Sequence, residues 1–331
     1  MLYKVSEDEQ DAIPISEITF EKCGIKEIKN IQEWIRKDPR ILGEELLVLS
    51  VNRCPWDKSR REYDILSMDK SGQLVLIEIK RDNKDCVAQG LDYASKLVSM
   101  TRANVLPYFI EYREKYCGEK LSLEEAKIII DEFTDSDEVY NEFPKEVRII
   151  LVAAGFSNDD TQLALYLNSL RQLVKCVKLT LYTKDNELLF NSNTIIPVKE
   201  TEQYLVGIKE KEDQRILKTK KGKAILDRLI NDGIVKIGEI LSFQYNLPKG
   251  VEYNKDNPIF HAEVIRNENK PARVRWEVDK EEYSLCKLTD KICEEKFNLL
   301  PRGWYSTKMW GIKNTSCLVE LLKQQEDGSV N

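Results

Sequence analysis

Two carboxylates and a lysine occur at a spacing that would let them act together in the hydrolysis of a phosphodiester. Asp64 precedes the triplet Glu78-Ile79-Lys80. Carboxylates bind a hard divalent cation, which polarises a phosphate and lowers the pKa of an attacking water. A lysine can position that water or stabilise the negative charge that develops. Because alternate residues of a strand share a face, the side chains of Glu78 and Lys80 would point the same way. Ile79, between them, would offer its backbone carbonyl to the metal.

Other hydrolytic sites are not indicated by the remaining residue types. The only histidine, His261, lies in a pattern typical of a strand, where an ordinary structural histidine is expected. A catalytic triad, a dyad or a metal site based on histidine is therefore not indicated. The eight cysteines are scattered and form no CxxC pair, which argues against a zinc site of close ligands. The chemistry must therefore rest on carboxylates, lysine and a hard metal, with Mg²⁺ expected and Mn²⁺ as a substitute.

The element that must position these residues is a β-hairpin. Two apolar runs flank Asp69-Lys-Ser-Gly72, and a three-residue loop with Gly72 in the left-handed conformation would place Asp64 opposite Glu78. A loop of another length would shift the register by one residue.

Helices are predicted before and after the hairpin. Residues 27 to 37 carry apolar residues at helical spacing and end at Asp38-Pro39, and residues 87 to 100 show a second apolar stripe. Gln89 and Tyr93 are four residues apart and would share another face of that second helix.

Together these residues resemble the PD-(D/E)XK nuclease superfamily, whose pattern is an Asp, a variable gap and then Asp/Glu-x-Lys. Tyr63 replaces the proline that often precedes the first acid. Gln89 and Tyr93 look like the QxxxY motif of one branch, and residues 27 to 185 are similar to the catalytic domain of NucS/EndoMS-type and restriction-type endonucleases. The resemblance implies that Asp64, Glu78 and the Ile79 carbonyl hold metal and that Lys80 is the catalytic lysine.

By the same resemblance, Gln89 and Tyr93 would face the active site, and Glu33 on the first helix would be an accessory acid. Glu44 or Glu45 could take the place of Glu33, and an exposed helix glutamate is the plain alternative for each. For Glu78-Ile-Lys80 alone, the plain alternative is a solvated strand end with a surface ion pair.

The fold expected is α/β: a restriction-endonuclease-like mixed sheet flanked by helices, with a smaller α+β domain after it. An apolar strand over residues 146 to 154, a helix from Asn158 or Asp159 to Gln172, and a strand over 176 to 182 form a strand-helix-strand unit. We predict a nuclease domain over 1 to 185, a charged linker over 186 to 222 and a second domain over 223 to 331.

The second domain resembles, more faintly, the RAMA or DUF4357-like modules of restriction and methylation proteins, which implies DNA recognition. The resemblance runs through Tyr283-Ser-Leu-Cys-Lys-Leu-Thr, Gly303-Trp304 and Met309-Trp310. Its tryptophans could stack on a base, with burial in the core as the alternative. Candidate DNA-binding residues, with solvated surface as the alternative for the cations, are Arg61, Arg81, Arg273, Arg275, Trp304 and Trp310.

These residues predict a metal-dependent DNA endonuclease, most consistent with restriction or defence against foreign or modified DNA. A mismatch or branched-DNA repair enzyme would use the same residues, and a noncatalytic DNA-binding or scaffold protein is the alternative of another class. DNA is the expected partner despite a net charge of −6, because an enzyme can grip DNA locally. A homodimer is compatible with double-strand cutting. Without an apolar leader or a long apolar run, we expect no membrane partner and a cytoplasmic location.

Overall fold

The computed structural model describes most of the chain as two compact units, one formed by residues 1–118 and 142–218 and the other by 119–141 and 219–331. The residues described are 2–6, 8–53, 62–81, 87–134, 143, 146–170, 173–184, 187–197, 225–266, 271–312 and 315–326. Within these ranges, no helix is both long and apolar enough to cross a membrane.

Within its described residues, the first unit has eight strands and four α-helices. Its strands are β1 (Leu2–Val5), β2 (Ala12–Ile18), β3 (Leu46–Arg53), β4 (Tyr63–Asp69), β5 (Leu74–Lys80), β6 (Arg148–Ala153), β7 (Val174–Lys184) and β8 (Glu187–Ile196). Its helices are α1 (Glu33–Lys37), α2 (Val87–Leu97), α3 (Arg102–Tyr112) and α5 (Asn158–Ser169), and α4 (Leu123–Phe133) belongs to the second unit. A wide helical turn over Glu27–Gln32 leads into α1, and a short helix over Pro39–Leu42 follows it.

The eight strands form one mixed sheet. Strands β3, β4 and β5 are antiparallel neighbours, whereas β5, β6 and β7 are parallel. Strand β7 also pairs antiparallel with β2 and β8, and β1 completes the sheet beside β2. The strands β4, β5 and β6 are buried along nearly their whole length, as expected for strands covered on both faces. The α/β class with a mixed sheet flanked by helices is confirmed.

The hairpin adopts the predicted loop and register. Gly72 is left-handed at φ 81°, and its amide donates to the Asp69 carbonyl at 2.9 Å. One Asp69 carboxylate oxygen accepts hydrogen bonds from the backbone amides of Ser71 and Gln73 at 2.9 and 3.0 Å. Strand pairing runs from Met68 with Leu74 to Ile65 with Ile77, so the next pair in this register is Asp64 and Glu78.

Helices flank this sheet and fix the strand ends. The predicted helix over 27 to 37 is present as the wide turn followed by α1, and the wide turn packs against β4 and β5. Helix α2 packs on β5 and β6, α5 packs on β7, and α3 packs on β3. The predicted strand-helix-strand unit is present as β6, α5 and β7, with α5 ending before Gln172.

The second unit is a five-stranded antiparallel sheet with helices. Its strands are β9 (Ile240–Phe243), β10 (His261–Ile265), β11 (Arg273–Trp276), β12 (Glu282–Tyr283) and β13 (Trp310–Ile312), in the order β12-β11-β10-β9-β13. Besides α4, its helices are α6 (Ile225–Asn231), α7 (Leu285–Phe297), α8 (Ser306–Met309) and α9 (Leu318–Glu326). Ser284 caps α7 by accepting a hydrogen bond from the Lys287 amide. The smaller α+β domain is present.

The boundaries of the units differ from the predicted domains in two places. Strand β8 occupies Glu187–Ile196, the start of the predicted charged linker, because it pairs along β7. Segment 119–141 groups with the second unit rather than with the nuclease domain in which the prediction placed it. Residues 198–222, the later part of the predicted linker, lie outside the described residues.

Candidate active site

Asp64 is the second residue of β4, and its carboxylate takes the place of a backbone hydrogen-bond acceptor. Its Oδ2 accepts a hydrogen bond of 2.7 Å from the backbone N–H of Ile79. The β4–β5 pairing ends at Ile65 and Ile77, so the strands part where the Asp64 carboxylate enters between them. In an extended strand the N–H and C=O of one residue point to the same side, so the Ile79 carbonyl faces this gap as well.

Glu78 and Lys80 are two residues apart on β5 and share one face of this strand end. Glu78 is 1% exposed, and its Oε1 lies 3.3 Å from Lys80 Nζ. Among the residues that the structure describes, the buried Glu78 Oε2 has no hydrogen-bond partner. A buried carboxylate oxygen with nothing to bind is costly, and it marks a place where a ligand would be stabilising.

The protonation of the site reflects crowding of acids in a buried place. Burial raises the pKa of Asp64 to about 6. Burial and the charge of Asp64 raise the pKa of Glu78 to about 8. Burial alone would lower the pKa of Lys80, but the carboxylates of Glu78, Asp64 and Glu27 raise it above its ordinary value. Lys80 is therefore a cation surrounded by acidic side chains.

The acid contributed by the first helical segment is Glu27, which corrects the prediction of Glu33. Glu27 Oε2 accepts a hydrogen bond of 2.8 Å from the Arg81 amide, next to Lys80, and its charge acts on Asp64, Glu78 and Lys80. Glu33 instead forms a two-pronged ion pair with Arg36. The wide turn over Glu27–Gln32 sets the face that reaches the site, and Glu33 lies beyond it.

The alternatives offered for Glu33 lie at the opposite end of the hairpin. Glu44 binds Arg148 and Lys175, at 2.8 and 3.0 Å, and Arg148 also pairs with Asp69 of the turn. Glu45 pairs with Lys70 in the hairpin loop. Both acids therefore form ion pairs near the hairpin turn, away from Asp64 and Glu78.

Gln32 is a buried amide that the sequence analysis did not single out. Its Nε2 donates to the Asp64 backbone carbonyl and to Asn52 Oδ1, both at 2.8 Å. Gln32 is 2% exposed, so these contacts are shielded from water. A polar residue within the apolar stripe of a short helix was the available signal, and the side chain fixes the strand end that carries Asp64.

Gln89 and Tyr93 lie on the face of α2 that turns toward the site. Gln89 Nε2 donates to Tyr93 Oη at 3.2 Å. Burial raises the pKa of Tyr93, and the charges of Glu78, Lys80 and Asp64 act on its phenol. Gly90 brings α2 close to β6, because a Cβ there would lie 3.1 Å from side-chain atoms of both Ile149 and Leu151. The structure thus brings together Asp64, Glu78, Lys80, Gln89 and Tyr93.

The donor atoms of the site fit a hard divalent cation. Among the described residues no three His, Cys, Asp or Glu side chains form a ready-made metal cluster. Mg²⁺ does not require one, since it is commonly held by one or two carboxylates together with water and substrate oxygens. Asp64, the unpartnered oxygen of Glu78 and the Ile79 carbonyl would supply such oxygens.

The proposed DNA-binding cations fall in different settings. Arg81 is half-buried beside Lys80, while Arg61 lies outside the described residues. In the second unit Arg273 is exposed, whereas Arg275 lies 3.3 Å from both Glu263 and Glu282 on neighbouring strands. Phosphate binding by Arg81 and Arg273 stays a prediction.

The prediction that Trp304 and Trp310 stack on DNA is wrong for this conformation. Trp304 and Trp310 are 5% and 0% exposed, and Trp310 Nε1 donates to Thr289 Oγ1 at 2.9 Å. Trp310 also packs against Phe243 with ring centres 5.3 Å apart. A small sheet needs large apolar side chains to fill its core, and these tryptophans provide them.

Comparison with known proteins gives two partial similarities. The sequence matches no family model and no curated protein. A repair endonuclease from Pyrococcus abyssi is similar at 20% identity over 44% of this chain and 44% of that chain, with a TM-score of 0.25. An EndoMS–double-stranded DNA complex is similar at 16% identity over 44% of this chain and 42% of that chain, with a TM-score of 0.22. The chain therefore covers less than half of either structure.

Proposed function

We propose that the first unit is a Mg²⁺-dependent DNA endonuclease that hydrolyses phosphodiester bonds. The observation that carries this proposal is the end of the β4–β5 hairpin, where Asp64 and Glu78 face each other in register and Glu78 has a buried oxygen without a partner. A surface ion pair does not account for this arrangement, because Glu78 is 1% exposed.

The residues of the site would divide the work between binding and charge stabilisation. The cation, when bound, polarises the scissile phosphate and lowers the pKa of a water molecule. Asp64 is held in place by the Ile79 amide and by Gln32, which binds its backbone carbonyl. Lys80, kept protonated by its acidic neighbours, stabilises negative charge on the phosphate oxygens.

Plasmid cleavage in Mg²⁺ tests the proposal with three variants. We expect Asp64→Asn and Lys80→Ala each to lower the cleavage rate by about a hundredfold or more, since each removes a group that acts on developing charge. Lys70→Ala is the matched control, because Lys70 pairs with Glu45 at the turn end of the same hairpin. Undiminished cleavage in both site variants would overturn the site assignment.

Calorimetric titration separates an enzyme from a noncatalytic nuclease-like scaffold. We expect the wild-type protein to bind Mg²⁺ or Mn²⁺, alone or with DNA, and Asp64→Asn to bind it more weakly. Absence of metal binding under both conditions would assign the scaffold role instead.

We further propose that the biological role is restriction or defence. A restriction enzyme selects a sequence or a base modification, whereas a repair enzyme selects a mismatch or a branch. Cleavage of matched duplexes that differ only in sequence, base modification, a mismatch or a branch distinguishes the two roles. A requirement for the mismatch or the branch would assign repair.

A further inference from the structure

A pocket of the first unit lies outside the catalytic cluster. It holds about 170 Å³ of space between the end of β3 and the side of α3. Three tyrosines, Tyr108, Tyr112 and Tyr116, line it from α3 and the helical turn that follows. Asn52 lines it from β3, and Arg53 and Lys115 add two cations. Aromatic faces combined with nearby cations suit a planar ring that carries an anionic group.

The aromatic wall is held in place from behind by an arginine. Arg36 donates to both carboxylate oxygens of Glu33 at 2.9 Å, and its guanidinium lies 4.5 Å from the ring centre of Tyr116. Arg36 also hydrogen-bonds the phenol of Tyr112, and the rings of Tyr112 and Tyr116 are 5.3 Å apart. A wall fixed in this way loses little conformational freedom when a ligand stacks on it.

The cations differ in how they are engaged. The Arg53 guanidinium lies 5.1 Å from the ring centre of Tyr108 and forms an ion pair with Glu111, which also lines the pocket. Lys115 is exposed, and its ammonium lies 5.0 Å from the ring centre of Tyr116. Lys115 is therefore well placed to meet a phosphate in solvent, where a lysine acts as a point charge.

The pocket and the candidate active site are joined by one side chain. Gln32 Nε2 donates to Asn52, which lines the pocket, and to the backbone carbonyl of Asp64, each at 2.8 Å. The Asn52 side-chain oxygen and the Asp64 backbone oxygen are therefore no further apart than the combined length of these two hydrogen bonds. Neighbouring nucleotides of a strand at Asp64 would be within reach of the pocket, because successive nucleotides are about 3.4 Å apart along duplex DNA.

We propose that this pocket binds a single nucleotide unit, with the base against the tyrosine rings and the phosphate at Lys115. Stacking on aromatic side chains accepts any base, and a basic groove then holds the backbone. The unit can come from a free nucleotide or from a nucleotide within a strand, and the two sources share this chemistry. Binding here does not require cleavage, so the inference stands apart from the proposed nuclease activity.

Calorimetry on the full chain in EDTA measures binding without turnover. The probes are deoxyadenosine monophosphate and a short single-stranded oligodeoxyadenylate. We expect Tyr108→Ala to weaken binding about tenfold, because it removes a stacking face, and Tyr108→Phe to retain binding. Lys115→Ala should also weaken binding and lower its dependence on salt. Tyr166→Ala, on the exposed surface of α5, is the matched control and should bind like wild type.

Each outcome decides the proposal. Weakened binding of the mononucleotide supports a free-nucleotide site, and weakened binding of the oligonucleotide alone supports a strand subsite. If neither probe binds the wild-type protein at millimolar concentration, the proposal is overturned. Unchanged affinity in both Tyr108→Ala and Lys115→Ala overturns it as well, and if the alanine variant at Tyr108 does not fold, by circular dichroism, Lys115→Ala alone decides. Loss of cleavage with nucleotide binding intact would concern only the nuclease proposal.

Discussion

At the residue scale, the candidate site crowds three acidic side chains around one lysine. Glu78, Asp64 and Glu27 all act on Lys80, and burial opposes ionisation of the first two. Such an arrangement destabilises the protein without a cation and favours binding of one. The cost of this charge can be measured as a dependence of stability on pH.

Glu78→Gln should stabilise the metal-free protein at pH 8 and have little effect at pH 5. The pKa of Glu78 is raised from 4.5 to about 8 on folding, so the unfolded chain loses its proton first and wild-type stability falls as pH rises between these values. The gain should grow as the pH rises from 5 to 8, and Asp64 and Glu27 remain beside Lys80 in the variant. Thermal unfolding in EDTA at several pH values measures it.

A control variant and the addition of Mg²⁺ test the expected effect of Glu78→Gln on stability. Glu17→Gln, at an exposed position of β2, should leave the pH dependence unchanged. If Glu78 holds Mg²⁺ as proposed, Mg²⁺ should raise the melting temperature of wild type more than that of Glu78→Gln, because the variant lacks one of the proposed oxygens. A variant that melts below wild type at pH 8 in EDTA would contradict the charge argument.

At the element scale, the structure could be predicted from the sequence where it depends on local signals. It could not be predicted where it depends on which face of a helix packs toward the site. The hairpin register was predictable because Asp69 and Gly72 specify the turn, and the turn sets the pairing of Asp64 with Glu78. The first helix was predicted to offer Glu33. Its wide opening turn instead presents Glu27, and spacing along an ideal helix cannot reveal such a turn.

Gln32→Leu tests whether the first helical segment positions the catalytic strand. The change leaves the Asp64 carbonyl and Asn52 without this donor, so we expect a loss of about 1–3 kcal/mol in the free energy of unfolding. Displacement of Asp64 should also lower kcat for DNA cleavage by about tenfold or more, with a smaller change in KM. Chemical denaturation and steady-state kinetics measure the two effects.

The matched control is another buried amide on the same hairpin. Gln73 is 1% exposed, and its Nε2 donates to the Glu146 carbonyl at 3.1 Å beside the turn. Gln73→Leu should cost a similar amount of stability and leave kcat nearly unchanged. Equal losses of kcat in both variants would show that the effect is one of general stability rather than of positioning.

At the scale of the whole molecule, contiguity along the chain misled the prediction of domains. The helical segment after α3 was assigned to the first domain because it precedes β6, but residues 119–141 group with the second unit. Likewise, Trp304 and Trp310 looked available for DNA, yet they fill the core of the second sheet. Both errors concern packing between residues distant in sequence, which periodicity and motif spacing do not encode.

The contact that ties α4 into the second unit can be tested through a single carboxylate. Glu132 accepts hydrogen bonds from the amides of Ser306 and Thr307, at 2.8 and 3.2 Å, and from the Thr307 hydroxyl. Glu132→Ala removes all three, and we expect a loss of about 2–3 kcal/mol in the stability of the second unit. Hydrogen exchange should then accelerate in peptides from residues 285–312 and remain unchanged in residues 63–80, whereas Glu124→Ala, on the exposed side of α4, should alter neither. Acceleration within 63–80 instead would place α4 with the first unit, because exchange reports the unit whose local opening the variant favours.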